Sequence, residues 1–183
     1  MARNIEIKAG VASIDGLESR VAALATEGPV EIAQDDTFFR CAAGRLKLRA
    51  FSERHGELIF YRRGDQAGPK ESFYVRSPTD DPASLREALC LAYGEAGRVR
   101  KRRTLYLVGR TRVHLDRVEG LGHFVELEVV LADGESSASG IELANHLMRQ
   151  LGVESSQLIE GSYLELLAEQ RVAIHESEQE PST

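Results

Sequence analysis

Residues 45–49 read Arg45-Leu46-Lys47-Leu48-Arg49, a strict alternation of cation and leucine. A period of two sends successive side chains to opposite faces of a β-strand, so this stretch has one apolar face and one basic face. The same period recurs on either side of it. Asn4-Ile5-Glu6-Ile7-Lys8 sets Glu6 and Lys8 against Ile5 and Ile7. Tyr61 and Arg63 share a face, as do Arg112, His114 and Asp116. Glu126 and Glu128 share a face opposite Val125, Leu127 and Val129. The run at 100–103 is ambiguous, because Lys101 and Arg103 charge one face while Arg100 and Arg102 charge the other.

Strands are expected at 4–8, 30–41, 45–53, 57–63, 72–76, 97–108, 111–118 and 123–132, with turns at Ala43-Gly44, His55-Gly56, Gly109-Arg110 and 119–122. Helices are expected over 13–26, capped by Ser13 or Asp15 and stopped by Gly28-Pro29, and from Asp81-Pro82 to Tyr93, with proline at the first position. A third covers 137–151 and a short last one 162–169. Antiparallel strands with a few helices make an α+β domain, and closure of the sheet into a barrel would remove its edges. One domain is expected over 1–170, followed by a disordered acidic tail over 171–183.

The chain has 183 residues, 42% hydrophobic and 28% charged, which is globular rather than disordered, and a formal charge of −6. The charge is unevenly spread. Residues 98–117 hold eight Arg or Lys and one acid, whereas residues 154–183 hold seven acids and one base. The acidic total argues against diffuse binding to nucleic acid, and only Tyr106 lies beside the basic run as a stacking platform. No apolar run reaches the roughly 18 residues of a membrane span, and residues 1–11 resemble neither a signal nor a transit peptide. The expectation is a cytoplasmic protein, monomer or homodimer, that engages neither membrane nor nucleic acid. Cys41 and Cys90 read as reduced, buried thiols, and the histidines have no zinc spacing. Gly120-Leu121-Gly122 reads as a turn rather than a phosphate loop.

On one strand, charged side chains simply face water. Repeated over several strands, with helices covering the aliphatic faces, they must line an interior. That interior would hold the bases Lys8, Arg45, Lys47, Arg49, Arg63, Lys101, Arg103 and Arg112 with the acids Glu6, Asp116, Glu126 and Glu128. Unpaired buried charges cost several kcal/mol each, so such a space must hold water, ion pairs or ligands. The bases suit a compact polyphosphate. The acids suit Mg²⁺ or Mn²⁺, and Glu-x-Glu places two carboxylates on one face about 7 Å apart along the strand.

These segments, in this order, resemble the CYTH family, also called triphosphate tunnel metalloenzymes. The likeness runs through Asn4–Lys8, Arg45–Arg49, Lys101-Arg102-Arg103 with Leu105-Tyr106, Arg112–Asp116, Gly120–Glu128 and Ser162–Leu167, covering about residues 2–169. Within the family it is most similar to the class IV adenylyl-cyclase-like branch. The resemblance implies an eight-stranded antiparallel barrel open as a tunnel. It implies a divalent cation, Mg²⁺ or Mn²⁺, on Glu6, Glu126, Glu128 and Asp116, and phosphate on Lys8, Lys47, Arg49, Lys101, Arg103 and Arg112. Arg45 and Arg63 are added by strand parity alone. Lys8, Arg112 and Asp116 are the expected catalytic residues. The expected substrate is ATP, converted to cyclic AMP and pyrophosphate. The alternatives are a triphosphatase acting on inorganic, thiamine or nucleoside triphosphate, or a polyphosphate-binding module without catalysis. One departure stands out: the family's first glutamate is Asn4 here.

Overall fold

The computed structural model describes residues 2–63 and 68–179. Eight antiparallel strands form a closed barrel: β1 (Ala2–Val11), β2 (Glu27–Phe39), β3 (Arg45–Ser52), β4 (His55–Arg63), β5 (Lys70–Thr79), β6 (Glu95–Val108), β7 (Thr111–Val118) and β8 (Gly122–Val130). Two runs of sequential neighbours, β2 to β5 and β6 to β8, are joined by the β2–β6 ladder. The ring closes through β1, which pairs with β5 on one side and β8 on the other.

The aliphatic strand faces point outward, where helices cover them. Ile5 and Ile7 of β1, Val113 and Leu115 of β7, and Val125, Leu127 and Val129 of β8 pack with Leu17 and Val21 of α1 (Asp15–Leu24). Ala144, Leu147 and Leu151 of α3 (Ser137–Leu151) complete this cluster. Burial of these faces outside the ring leaves the charged faces inside it, as parity requires. The approach of α3 to β1 is close at Gly140, where an added Cβ would lie 2.7 Å from both Ile5 Cγ1 and Leu131 Cδ2. Helix α2 (Pro82–Tyr93) packs on β2, β3 and β4, its first turn capped by Asp81 accepting from the Ser84 N–H.

Several boundaries differ from expectation. Helix α1 stops at Leu24, and Gly28-Pro29 lies inside β2. Strand β5 is longer than expected because it pairs with both β1 and β4. Helix α4 (Tyr163–Gln179) runs well past residue 169, so the segment read as a disordered tail from 171 is helical as far as Gln179. No glycine or proline interrupts 163–179, and Ala, Leu, Glu, Gln and Arg sustain a helix through it. Cys41 and Cys90 are free but half-buried rather than buried, since neither belongs to an apolar cluster of the fold. Among the described residues, no helix is long and apolar enough to cross a membrane.

Candidate functional site

The barrel encloses a cavity of about 340 Å³. Its lining includes Lys8, Lys47, Arg49, Lys101, Arg103 and Arg112 with Glu6, Glu126 and Glu128, so nine of the expected site residues meet in one space. The ambiguous run on β6 is resolved by burial: Lys101 and Arg103 point inward, while Arg98, Arg100 and Arg102 are exposed.

Two buried acids hold the bases. Asp36 of β2 sits opposite Arg49 of β3. It accepts from Arg49 Nε at 2.7 Å, Arg49 Nη2 at 2.8 Å and Lys47 Nζ at 2.7 Å. Burial opposes the Asp36 carboxylate, but the charges of Arg49 and Lys47 outweigh it and hold the group well below the usual range. Burial and the neighbouring Arg49 push Lys47 down to about 7, against the pull of Asp36. Asp116 of β7 sits opposite Arg103 of β6. It accepts from Arg103 Nε and Nη2 and from Lys101 Nζ, each at 2.7 Å, and from the Tyr163 hydroxyl at 3.0 Å.

The second wall is acidic, and strand register builds it. Glu6 lies opposite Glu128, and Lys8 opposite Glu126, across β1 and β8. On the other side of β8, Arg112 lies opposite Glu128 and His114 opposite Glu126. Arg112 Nε donates to Glu128 Oε2 at 2.8 Å, Lys8 Nζ lies 3.5 Å from Glu126 Oε1, and Arg103 Nη2 also bonds Glu126. Burial opposes both carboxylates. For Glu126 the charges of Lys101, Arg103 and Lys8 win and leave it far below the usual range. Against that burial, the adjacent His114 ring, then Arg112 and Arg103, lower Glu128.

His114 is 4% exposed, and its Nδ1 has no hydrogen-bond partner among the described residues. That atom lies 3.8 Å from Glu126 Oε2 and 3.7 Å from Glu128 Oε1, and ligand atoms of the three residues fall within 4.8 Å of one another. Burial and the nearby Arg103 lower the imidazole against the pull of Glu128 and Glu126, which favours the neutral ring that can donate a lone pair. Two ionised carboxylates and an orphaned buried nitrogen fit a divalent cation. The oxygens suit Mg²⁺ or Mn²⁺, and the nitrogen shifts the set toward a transition ion.

Two expected residues, Asp116 and Arg45, stand elsewhere, and a third, Arg63, has no described side chain. Asp116 is fully buried and does not line the cavity, because four hydrogen bonds from bases and Tyr163 enclose it. Arg45 has the inward parity but lies beyond the last β2–β3 pair, and Nη2 reaches Glu165 of α4 at 2.8 Å rather than the cavity. The Arg63 backbone pairs with Ser72, and its side chain lies outside the described residues. Four lining or supporting residues escaped the sequence reading: Asp36, His114 as a ligand, Lys70 and Tyr163. Lys70 is buried opposite Glu6 on β5. Tyr163 enters from the start of α4, with Lys8 Nζ 4.0 Å from its ring centroid. The Ser162-x-x-Glu165 capping box that starts this helix was a visible signal, since the Ser162 N–H donates to Glu165 and the Glu165 N–H to Ser162 Oγ.

The sequence profile of the CYTH domain matches residues 2–163. Adenylate cyclase CyaB of Aeromonas hydrophila is 28% identical over 185 residues, which cover 97% of this chain and 94% of that protein. The PH1012 protein of Pyrococcus horikoshii superposes with a TM-score of 0.80 at 22% identity, covering 90% of this chain and 99% of that one. HpAC1 of Hippeastrum superposes with a TM-score of 0.65 at 16% identity, covering 93% and 96%. At those identities the two structures are alike in fold.

Proposed function

The chain belongs to the CYTH domain family, and from that premise we propose that it is a metal-dependent enzyme of the class IV adenylate-cyclase type, converting ATP to cyclic AMP and pyrophosphate. The observation that carries this reading is the division of one cavity into a basic wall and an acidic wall with an orphaned histidine nitrogen. The relative of this chain at 28% identity is an adenylate cyclase.

Lys47, Arg49, Lys101 and Arg103 bind the phosphoryl oxygens and neutralise their charge. Asp36 and Asp116 are positioning residues that fix those bases in place before substrate arrives. Glu126, Glu128 and His114, with Glu6 beside them, would hold Mg²⁺ or Mn²⁺. A divalent cation there supplies positive charge to the reacting phosphoryl group. Lys8 and Arg112 flank the two carboxylates and stabilise charge that develops on phosphoryl oxygens. In cyclisation the ribose 3′-hydroxyl attacks the α-phosphorus and loses its proton, the bond between the α-phosphorus and its bridging oxygen breaks, and pyrophosphate leaves.

A second reading is hydrolysis, in which water attacks the terminal phosphorus, its bond to the bridging oxygen breaks, the diphosphate leaves, and the attacked phosphorus is released as orthophosphate. HpAC1 has a dominant triphosphatase activity, which favours keeping it. Incubation of the protein with ATP, inorganic triphosphate and thiamine triphosphate, with Mg²⁺ or Mn²⁺, separates the readings. Cyclic AMP with pyrophosphate identifies a cyclase, and orthophosphate a hydrolase. Tight triphosphate binding without turnover would leave a binding module.

A further inference from the structure

One end of the basic wall has a chemistry that phosphate does not need. Strand β3 carries Lys47, Arg49 and Phe51 on its inward face, so Phe51 follows the phosphate-binding pair about 7 Å farther along the strand. Phe51 is half-buried, lines the cavity and belongs to neither apolar cluster of the fold. Its ring stacks on His55, with centroids 5.1 Å apart and planes at 22°. His55 is exposed and also lines the cavity. The two rings flank the tip of the β3–β4 hairpin. That tip is fixed by Gly56, where an added Cβ would sit 2.7 Å from the Arg49 carbonyl oxygen. Beside the rings, Glu57 of β4 lies opposite Arg49 and lines the same cavity. Glu57 Oε1 lies 3.7 Å from Arg76 Nη1, longer than a hydrogen bond.

A bare polyphosphate gains nothing from an aromatic pair at this distance from the bases. A planar ring attached to the triphosphate gains a stacking surface, and an amino group on that ring gains a carboxylate acceptor. We propose that Phe51 and His55 form a stacking platform for an amino-substituted heteroaromatic ring carried on the triphosphate, with Glu57 accepting from its exocyclic amine. This rests on the reading of the cavity as a triphosphate site and narrows its substrate to ring-bearing triphosphates. Adenine in ATP and the aminopyrimidine of thiamine triphosphate both have this chemistry.

Equilibrium binding of ATP, thiamine triphosphate and inorganic triphosphate to the wild type, Phe51→Ala, Phe51→Leu and His55→Ala tests the platform. Phe51→Leu keeps apolar bulk at the hairpin while removing the π face. The expected result is an affinity loss of about tenfold or more for one or both ring-bearing ligands in the Phe51 variants, with inorganic triphosphate unchanged. The ligand that loses affinity identifies the source of the ring. Unchanged affinity for both ring-bearing ligands overturns the platform, as does an equal loss for inorganic triphosphate. A wild type that binds none of the three overturns the triphosphate site itself, and the platform with it.

Discussion

Arg103 and Asp116 form a two-point ion pair at the centre of the barrel wall, with Nε and Nη2 each 2.7 Å from a carboxylate oxygen. Asp116 is fully buried and also holds Lys101. Asp116→Asn removes the carboxylate that holds both buried bases and leaves Glu126 as their remaining counter-charge, so a loss of about 3 kcal/mol in folding stability is expected, the low end for a broken buried pair. Chemical denaturation measures it. A change within roughly 0.5 kcal/mol, the range of an ordinary surface substitution, would contradict the positioning role.

Glu126 and Glu128 belong to the candidate cation set with His114. Glu126→Gln and Glu128→Gln are expected to lower cation-dependent turnover about 100-fold or more, since loss of even an outer-shell partner costs 10- to 100-fold. Circular dichroism should show an intact fold. Wild-type turnover in both variants would remove the carboxylates from the reaction.

Lys47 titrates near neutrality, pushed down to about 7 by burial and Arg49. It is charged below that pH and increasingly neutral above it. A bound triphosphate favours the charged form, so binding between pH 7 and 8 takes up a proton, and affinity falls as pH rises. Lys47→Arg stays charged and should flatten that slope relative to wild type, which cancels the titration of the ligand itself. Calorimetry in buffers of different ionisation heat reads the proton directly. Equal proton uptake in wild type and Lys47→Arg would be incompatible with this assignment.

Asn4 lines the cavity at 2% exposure, and its Oδ1 has no hydrogen-bond partner among the described residues. Asn4→Glu adds a carboxylate two residues before Glu6 on the same strand face. The cation concentration giving half-maximal turnover should fall. A titration with Mg²⁺ or Mn²⁺ that overlays wild type would show that the missing charge has no part in ion binding.

Gly140 has no room for a methyl group between α3 and β1. Gly140→Ala is expected to cost about 1–3 kcal/mol through overpacking, read from the denaturation midpoint. Activity per folded molecule should be unchanged, because Gly140 lies on the outer side of the barrel.

The strand alternation made most of the barrel and its inward residues legible, because one aliphatic face and one charged face per strand leave few arrangements. Parity failed where like residues adjoin. Asp35 and Asp36 are neighbours, yet Asp35 bonds Arg98 on the exposed side while Asp36 holds Lys47 and Arg49 inside. Arg100 to Arg103 posed the same problem, which is resolved in the fold by the burial of Lys101 and Arg103 against Asp116. Arg45 shows the opposite failure: its face is right, but how far along the barrel it stands depends on where the β2–β3 ladder ends. Lys70 follows a loop, and Tyr163 arrives from a helix, so no strand pattern announced either. Helix α4 continues to Gln179 because the residues that make this segment polar, Glu and Gln among them, also favour helix.

Closure of the ring through β1 has a consequence for how the protein forms. The first strand of the chain must pair with residues 70–74 and with residues 123–130. These are long-range contacts, and the entropy of bringing them together is lost before the contacts repay it. In chain order β1 precedes β8 by more than 100 residues, and its outward Ile5 and Ile7 are covered only once the barrel and its helices are assembled. Glu6 and Lys8 ride on that strand, and Glu126 and Glu128 on its late partner. Glu6 and Lys8 therefore reach Glu126 and Glu128 only when β1 pairs with β8, so closure of the ring is also what completes the acidic wall.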